Sequence, residues 1–238
     1  MYLWFTAAAV AYFIKGLCGF ANTLVFTSIL SFGNANAGIS PIDLLVGCPT
    51  NLILTWQNRK ALNPRVYLPL AALVLAGSIP GAFLLKTADV RAVKLFFGCV
   101  VVFLGGEMLL RERQHGHMKS SRLVLGIIGV AAGVLCGLFG VGALLAAYVS
   151  RVTDNGSSFK ANISAVFIAE NTFRIVLYCA LHLLTPAGIR MSLLLLPAAF
   201  AGLGLGIFTG KHCSEARVRR LMAGLLVLSG ISLIIKNL

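Results

Sequence analysis

Residues 11–31 read AYFIKGLCGFANTLVFTSILS, with a lysine, two glycines and an asparagine in the middle of an apolar run. The whole run covers 2–31, although about 20 residues suffice to cross a hydrocarbon core. Gly16 and Gly19 split it into two shorter pieces, because glycine lets a chain turn sharply. A second long run, 122–150, is broken in the same way by Gly133-Val-Leu-Cys136-Gly137-Leu-Phe-Gly140-Val-Gly142. Whether these runs cross, or enter and return on one side, decides the topology.

The rest of the chain has the same character. Of its 238 residues 58% are hydrophobic and 11% charged, and the mean hydropathy is +0.92. A soluble domain carries roughly 25% charged residues, so a soluble enzyme and a disordered nucleic-acid-binding tail are both excluded. The net charge of +13 marks the loops of a membrane protein and implies no nucleic-acid partner. The partner that this composition does imply is the lipid bilayer. Apolar runs lie near 2–31, 41–57, 66–85, 92–110, 122–150, 161–184, 191–210 and 218–235, joined by short basic linkers. None alternates in polarity as barrel strands do, so each is read as helix. The N-terminus lacks the basic start of a cleaved leader and reads as a retained first segment.

An internal repeat sets the domain plan. Gly77-x-x-x-Gly81 followed by Lys86 recurs as Gly202-x-x-x-Gly206 followed by Lys211, and Arg91, Lys94 and Gly98 recur as Arg217, Arg220 and Gly224. Cys18-Gly19 matches Cys136-Gly137, and Asn51 pairs with Asn171. The shared order points to two homologous halves, 1–118 and 119–238, within one membrane domain. Such a plan suits a transporter with its site at the repeat interface.

Charge then separates two topologies. With eight crossings, nine Lys/Arg residues fall on each side, a tie that violates the positive-inside tendency. With the first segment of each half returning on its own side, the split becomes thirteen against five, and the second half is inverted relative to the first. The reading is therefore an all-α polytopic membrane protein of inverted repeats, with glycine-broken, re-entrant first segments and both termini outside.

Chemistry is sought in the breaks and in charges deep inside apolar runs. A helix that starts after a glycine break aims free N–H groups and a positive dipole end at whatever sits there. Two facing breaks would thus make an anion site from Gly16, Gly19, Phe20 and Asn22 on one side and Gly137, Gly140 and Gly142 on the other. Lys15, Glu170 and Arg174 lie mid-run, where a charge costs about 2.5–3.5 kcal/mol and is rarely idle. Glu170 and Arg174 have the spacing of a helical ion pair. Lys15 is then left over, and the site is net positive by one. Asn51 and Asn171 offer amides at related positions, and Pro49 loosens the helix beside Asn51.

Glu170 is the candidate proton acceptor, since the protonation of a buried carboxylate responds to its surroundings. Cys18 and Cys136 are either thiol contacts to an anion or small apolar residues. Gly77/Gly81 and Gly202/Gly206 have the small-xxx-small spacing of helix packing. His115-Gly-His117 lacks further ligands nearby, and neither a metal nor a cofactor is implied.

The stretch Gly16-Leu-Cys-Gly-Phe-Ala-Asn-Thr-Leu-Val25 resembles the GLTGFGFALV-type signature of the TauE/SafE sulfite exporter family, with Ala21 where glycine is usual and Ser28 where a proline often follows. Gly137-Leu-Phe-Gly-Val-Gly142 and Tyr148-Val-Ser resemble its GLFGIGG…YLS pattern, with Ala143-Leu144-Leu145 in place of Gly-Pro-Pro. Phe159-Lys-Ala-Asn162, Asn171 and Arg174 are similar to its FRAT…N..R stretch. The resemblance covers essentially the whole chain. It implies a secondary transporter, an exporter, of sulfite or a small organosulfonate across a bacterial inner membrane, and not an enzyme. An anion channel using the same site and a membrane-embedded thiol enzyme are the rival readings. A chain this small suits a homodimer, although no segment shows a sustained partner-facing pattern.

Overall fold

The computed structural model describes residues 1–31, 39–87, 129–134, 142–153, 155–180 and 184–235, with isolated positions between 95 and 126 and at 182; some side chains within these ranges are not described. All its regular structure there is helical. Helix α1 is Tyr2–Cys18, α2 Asn22–Ser31, α3 Ile39–Gln57 and α4 Pro64–Thr87. Helix α5 is Ala143–Val152, α6 Gly156–Ala180, α7 Pro186–His212 and α8 Glu215–Ile235. A single 3-10 turn, Arg59–Ala61, joins α3 to α4.

Helix starts follow local chemistry. Pro64 and Pro186 occupy first-turn positions, where a missing N–H costs nothing. Thr185 accepts the N–H of Gly188 at 3.1 Å, and Asn155 accepts that of Ser158 at 2.8 Å, as N-caps do. The second cap moves the start of α6 to Gly156, five residues before the apolar run expected at 161. The polar turn Ser157-Ser158 is helical because it is capped, which hydropathy alone does not register.

At the first break the chain reverses. Gly19 closes α1 at φ +92°, its N–H donating to the Lys15 carbonyl at 2.6 Å, and Ala21 also sits at positive φ, +75°. Helix α2 then runs back along α1, so that the rings of Trp4 and Phe26 meet edge to face at 6.0 Å. In one straight helix, residues 22 apart would lie about 33 Å apart. Basic linkers gather accordingly. Gln57 and Asn58, Ser157 and Lys160, and Lys211 line one cavity at one end of the bundle, and Asn162 accepts the backbone N–H of Asn63 at 3.0 Å. An eight-crossing chain would put 57–65 on the opposite face from the other two.

Close helix contacts run through glycine. Helix α1 packs chiefly along α7, where Gly16 lies on the backbone of Leu203 and Ile207, Gly202 on Ala9, and Gly206 on Phe13 and Leu17. Stretch 129–134 packs on α4 in the same manner, with Gly133 against Val74 and Gly77 against Val130. Helix α3 packs on α6 and α7, and α6 on α4. Outward-facing side chains such as Val176, Leu193, Phe208 and Leu228 are largely exposed, whereas Lys15, Asp43, Glu170 and Arg174 are each no more than 5% exposed. Apolar outside and charged inside is the arrangement a bilayer favours. Among the described residues, Ile39–Gln57, Gly156–Ala180 and Pro186–His212 are long and apolar enough to cross a membrane.

Candidate functional site

The buried charges converge on one cavity half-way along α3 and α6. It is small, with a volume of about 30 Å³. Helix α1 contributes Lys15, and the reversal contributes Phe20 and Ala21. Asn22, Thr23 and Leu24 bring the first turn of α2 to the cavity, and Gly142, the residue capping α5, brings that helix's N-terminus. Helix α3 supplies Asp43, Gly47 and Asn51 at spacings of four, one stripe of a helix. Helix α6 supplies Phe167, Glu170, Asn171 and Arg174 on its facing stripe.

Each cation has neutral hydrogen-bond partners. The ammonium of Lys15 donates to Thr50 Oγ1 at 2.9 Å and to the Gly47 carbonyl at 3.3 Å, and lies 5.4 Å from the centre of the Tyr12 ring. Arg174 donates through Nη2 to Tyr178 Oη at 2.6 Å and Ser40 Oγ at 3.0 Å. Its Nε lies 3.6 Å from Glu170 Oε1, an oxygen that accepts no hydrogen bond. Asn51 Oδ1 is likewise buried without a hydrogen-bond partner. Buried polar atoms are normally satisfied, so orphaned ones around a cavity mark a place where a ligand or water completes the set.

Asp43 is the residue that sequence reasoning missed. Its carboxylate accepts from Thr23 Oγ1 at 2.6 Å, Tyr12 Oη at 3.0 Å and Asn22 Nδ2 at 3.1 Å. Two expectations change as a result. The described cavity carries two cations and two carboxylates, so it is balanced rather than net positive by one. Asn22 lines the cavity, but its amide nitrogen is turned to Asp43 and not into the open space. Asp43 lies in the second turn of α3; its spacing of four from Gly47 and eight from Asn51 was the available signal.

A family model described as Sulfite exporter TauE/SafE matches residues 4–233. The chain belongs to the TauE/SafE family. Its members are transporters, and this chain is a multi-pass membrane transporter of the sulfur-anion class, not an enzyme. No curated protein and no solved structure compared with the chain matches it.

Of the residues singled out in this TauE/SafE chain, Lys15, Phe20, Asn22, Asn51, Gly142, Glu170, Asn171 and Arg174 share the central cavity. Gly16 does not; it forms the seam with α7, since a Cβ there would meet the Leu203 and Ile207 backbone. Gly19 makes the turn, and its N–H is occupied by Lys15. Cys18 lines the second cavity, at the basic end of the bundle. Cys136, Gly137, Gly140 and the histidines 115 and 117 lie outside the described residues, and Gly81 is described only as part of α4. Among those described, no three of His, Cys, Asp and Glu come together as a metal site.

Proposed function

We propose that the chain is a secondary carrier, an exporter in a bacterial inner membrane, that takes a small sulfur oxyanion such as sulfite or an organosulfonate into the central cavity. The observation that carries this reading is the convergence of two half-helix N-termini, at Asn22 and Gly142, with Lys15 and Arg174. Free N–H groups and a positive dipole end at each start favour an anion between them. Asn51 and Asn171 add polar contacts on either side.

Charge balance motivates proton coupling. An anion entering a cavity with two cations and two carboxylates makes it negative in a medium of low dielectric, which is costly. One proton on Glu170, whose Oε1 accepts no hydrogen bond, offsets one unit of that charge.

Alternating exposure would come from rocking two inverted halves, 1–118 and 119–238. The contacts support that duplication, because exchanging the halves reproduces them. Helix α1 on α7 becomes stretch 129–134 on α4, α3 on α7 becomes α6 on α4, and α3 on α6 maps to itself.

The test is sulfite flux into proteoliposomes, with sulfoacetate, thiosulfate and acetate as competitors, with and without a pH gradient. Saturable flux that the gradient accelerates is expected. Arg174→Ala should remove it while the protein still inserts. Non-saturating conductance would make the chain a channel, and absence of flux from folded protein would overturn the reading.

A further inference from the structure

A second cavity, of about 330 Å³, opens at the basic end of the bundle. Ser150 and Thr153 line it from the end of α5, Ser157 and Lys160 from the first turns of α6, and Lys211 from the last turn of α7. Cys18, at the end of α1, also lines it. Among the described residues, an aromatic pair joins its wall to that of the central cavity. Phe20 faces the central cavity and Phe159 the second one, and their rings meet edge to face at 6.1 Å. Both are at most 5% exposed and lie in one apolar cluster with Leu145, Val149 and Ile163.

Lys160 stands beside this pair. Half-buried, it donates from Nζ to the Gly16 carbonyl at 2.9 Å, and its stem packs against Gly19. The carbonyl end of a helix is its negative pole and repels an anion. An ammonium placed there neutralises that pole beside the second cavity. Its two remaining N–H donors, with Lys211 and the hydroxyls of Ser150, Thr153 and Ser157, make a polar wall suited to an oxyanion.

We propose that this vestibule is a second binding station for the same class of small oxyanion, with Lys160 as its principal ligand and Phe20–Phe159 as the gate to the central cavity. The station rests on the anion-transport reading, and its test separates the two. Full-length protein in phosphatidylcholine nanodiscs is dialysed to equilibrium against radiolabelled sulfite.

Two ions per chain are expected at saturation. Lys160→Gln should leave one, and Lys160→Arg two. Exposed Lys211→Gln keeps the fold and should weaken the second site about tenfold. Arg174→Ala should also leave one ion, the vestibular one. No binding to the wild type would defeat the anion reading and the station together. One ion in the wild type, or two that survive Lys160→Gln, overturns the station alone. A second ion lost when phosphatidylglycerol enters the nanodisc would assign the vestibule to a lipid phosphate and also overturns it.

Discussion

Helix α1 serves two regions of opposite character. Ala9, Phe13 and Gly16 present backbone to α7 in a dry seam, and Tyr12 and Lys15 face α3 and the polar centre. Lys15 and Gly16 are neighbours in sequence yet point about 100° apart, as successive helical residues must. The seam is satisfied by contact alone: Gly202 and Gly206 let two backbones touch, and any added atom collides. The cavity is the reverse, with one ion pair, charges that also lean on neutral hydroxyls and carbonyls, and oxygens at Asn51 and Glu170 that accept no hydrogen bond. One region stores stability and the other forgoes it to keep a place for a ligand. Substitutions in the seam should therefore change folding without substrate dependence, and substitutions in the cavity should change transport without unfolding.

The seam gives the largest effect. In Gly206→Leu the side chain meets the Phe13 carbonyl and the Leu17 backbone, which cannot yield as a flexible side chain would. Overpacking of this kind costs about 3 kcal/mol. The detergent-solubilised protein should lose its monodisperse peak, and whatever survives should show a lower Tm whether or not sulfite is present. Gly204→Leu is the matched control, since nothing lies within 4 Å of a Cβ built there. Equal damage in both variants would mean that the seam is not where stability resides.

The cavity gives the next effect. Arg174→Ala combined with Glu170→Gln removes the ion pair without leaving a charge alone, but Ser40 and Tyr178 lose a buried donor, so stability should fall by about 1–2 kcal/mol, less than in Gly206→Leu. Sulfite flux should fall at least about 100-fold, the loss of roughly 2.7 kcal/mol of interaction with the anion. A fall in Tm matching that of Gly206→Leu would erase the distinction between the two regions.

Much of this arrangement was legible before any coordinates. The broken first run, the small-residue pairs and the polar stripe of α6 follow from spacing alone, because helical periodicity reports which residues share a face. Periodicity does not report what a face meets. Gly16 reads like a member of the break, but its partner is Leu203, far along the chain, and only packing assigns it to the seam. Cys18 belongs to the second cavity for the same reason. Asp43 stayed hidden because spacing along one helix does not show which groups a carboxylate meets. Its true partners, Tyr12, Asn22 and Thr23, come from the helix pair that folds back beside it.

Within the cavity the two carboxylates should separate by role. Glu170→Gln mimics the protonated state, so saturable flux should persist while acceleration by an imposed pH gradient disappears. Asp43→Asn should keep that acceleration, because Asp43 is already occupied by three donors and serves to orient them. Initial rates at matched sulfite concentration, with and without the gradient, decide the matter. The opposite pattern would move the proton to Asp43.

The smallest effect falls where the seam and the cavity meet. Ala21 is buried at φ +75°, the left-handed region, and it stands where the family signature usually has glycine. Holding an alanine there costs about 1–2 kcal/mol. Ala21→Gly relieves that strain but removes one buried methyl, worth about 0.8 kcal/mol, and adds chain freedom to the unfolded state, worth up to about 1 kcal/mol. The terms nearly cancel, so Tm should move by no more than a degree or two. Flux should respond more than stability does, because a glycine lets Phe20 and the first turn of α2 reorient with less resistance. A rise in turnover at constant Tm would place the moving part of the cavity at this turn. A fall in Tm as large as that of Gly206→Leu would show the turn to be part of the rigid seam instead.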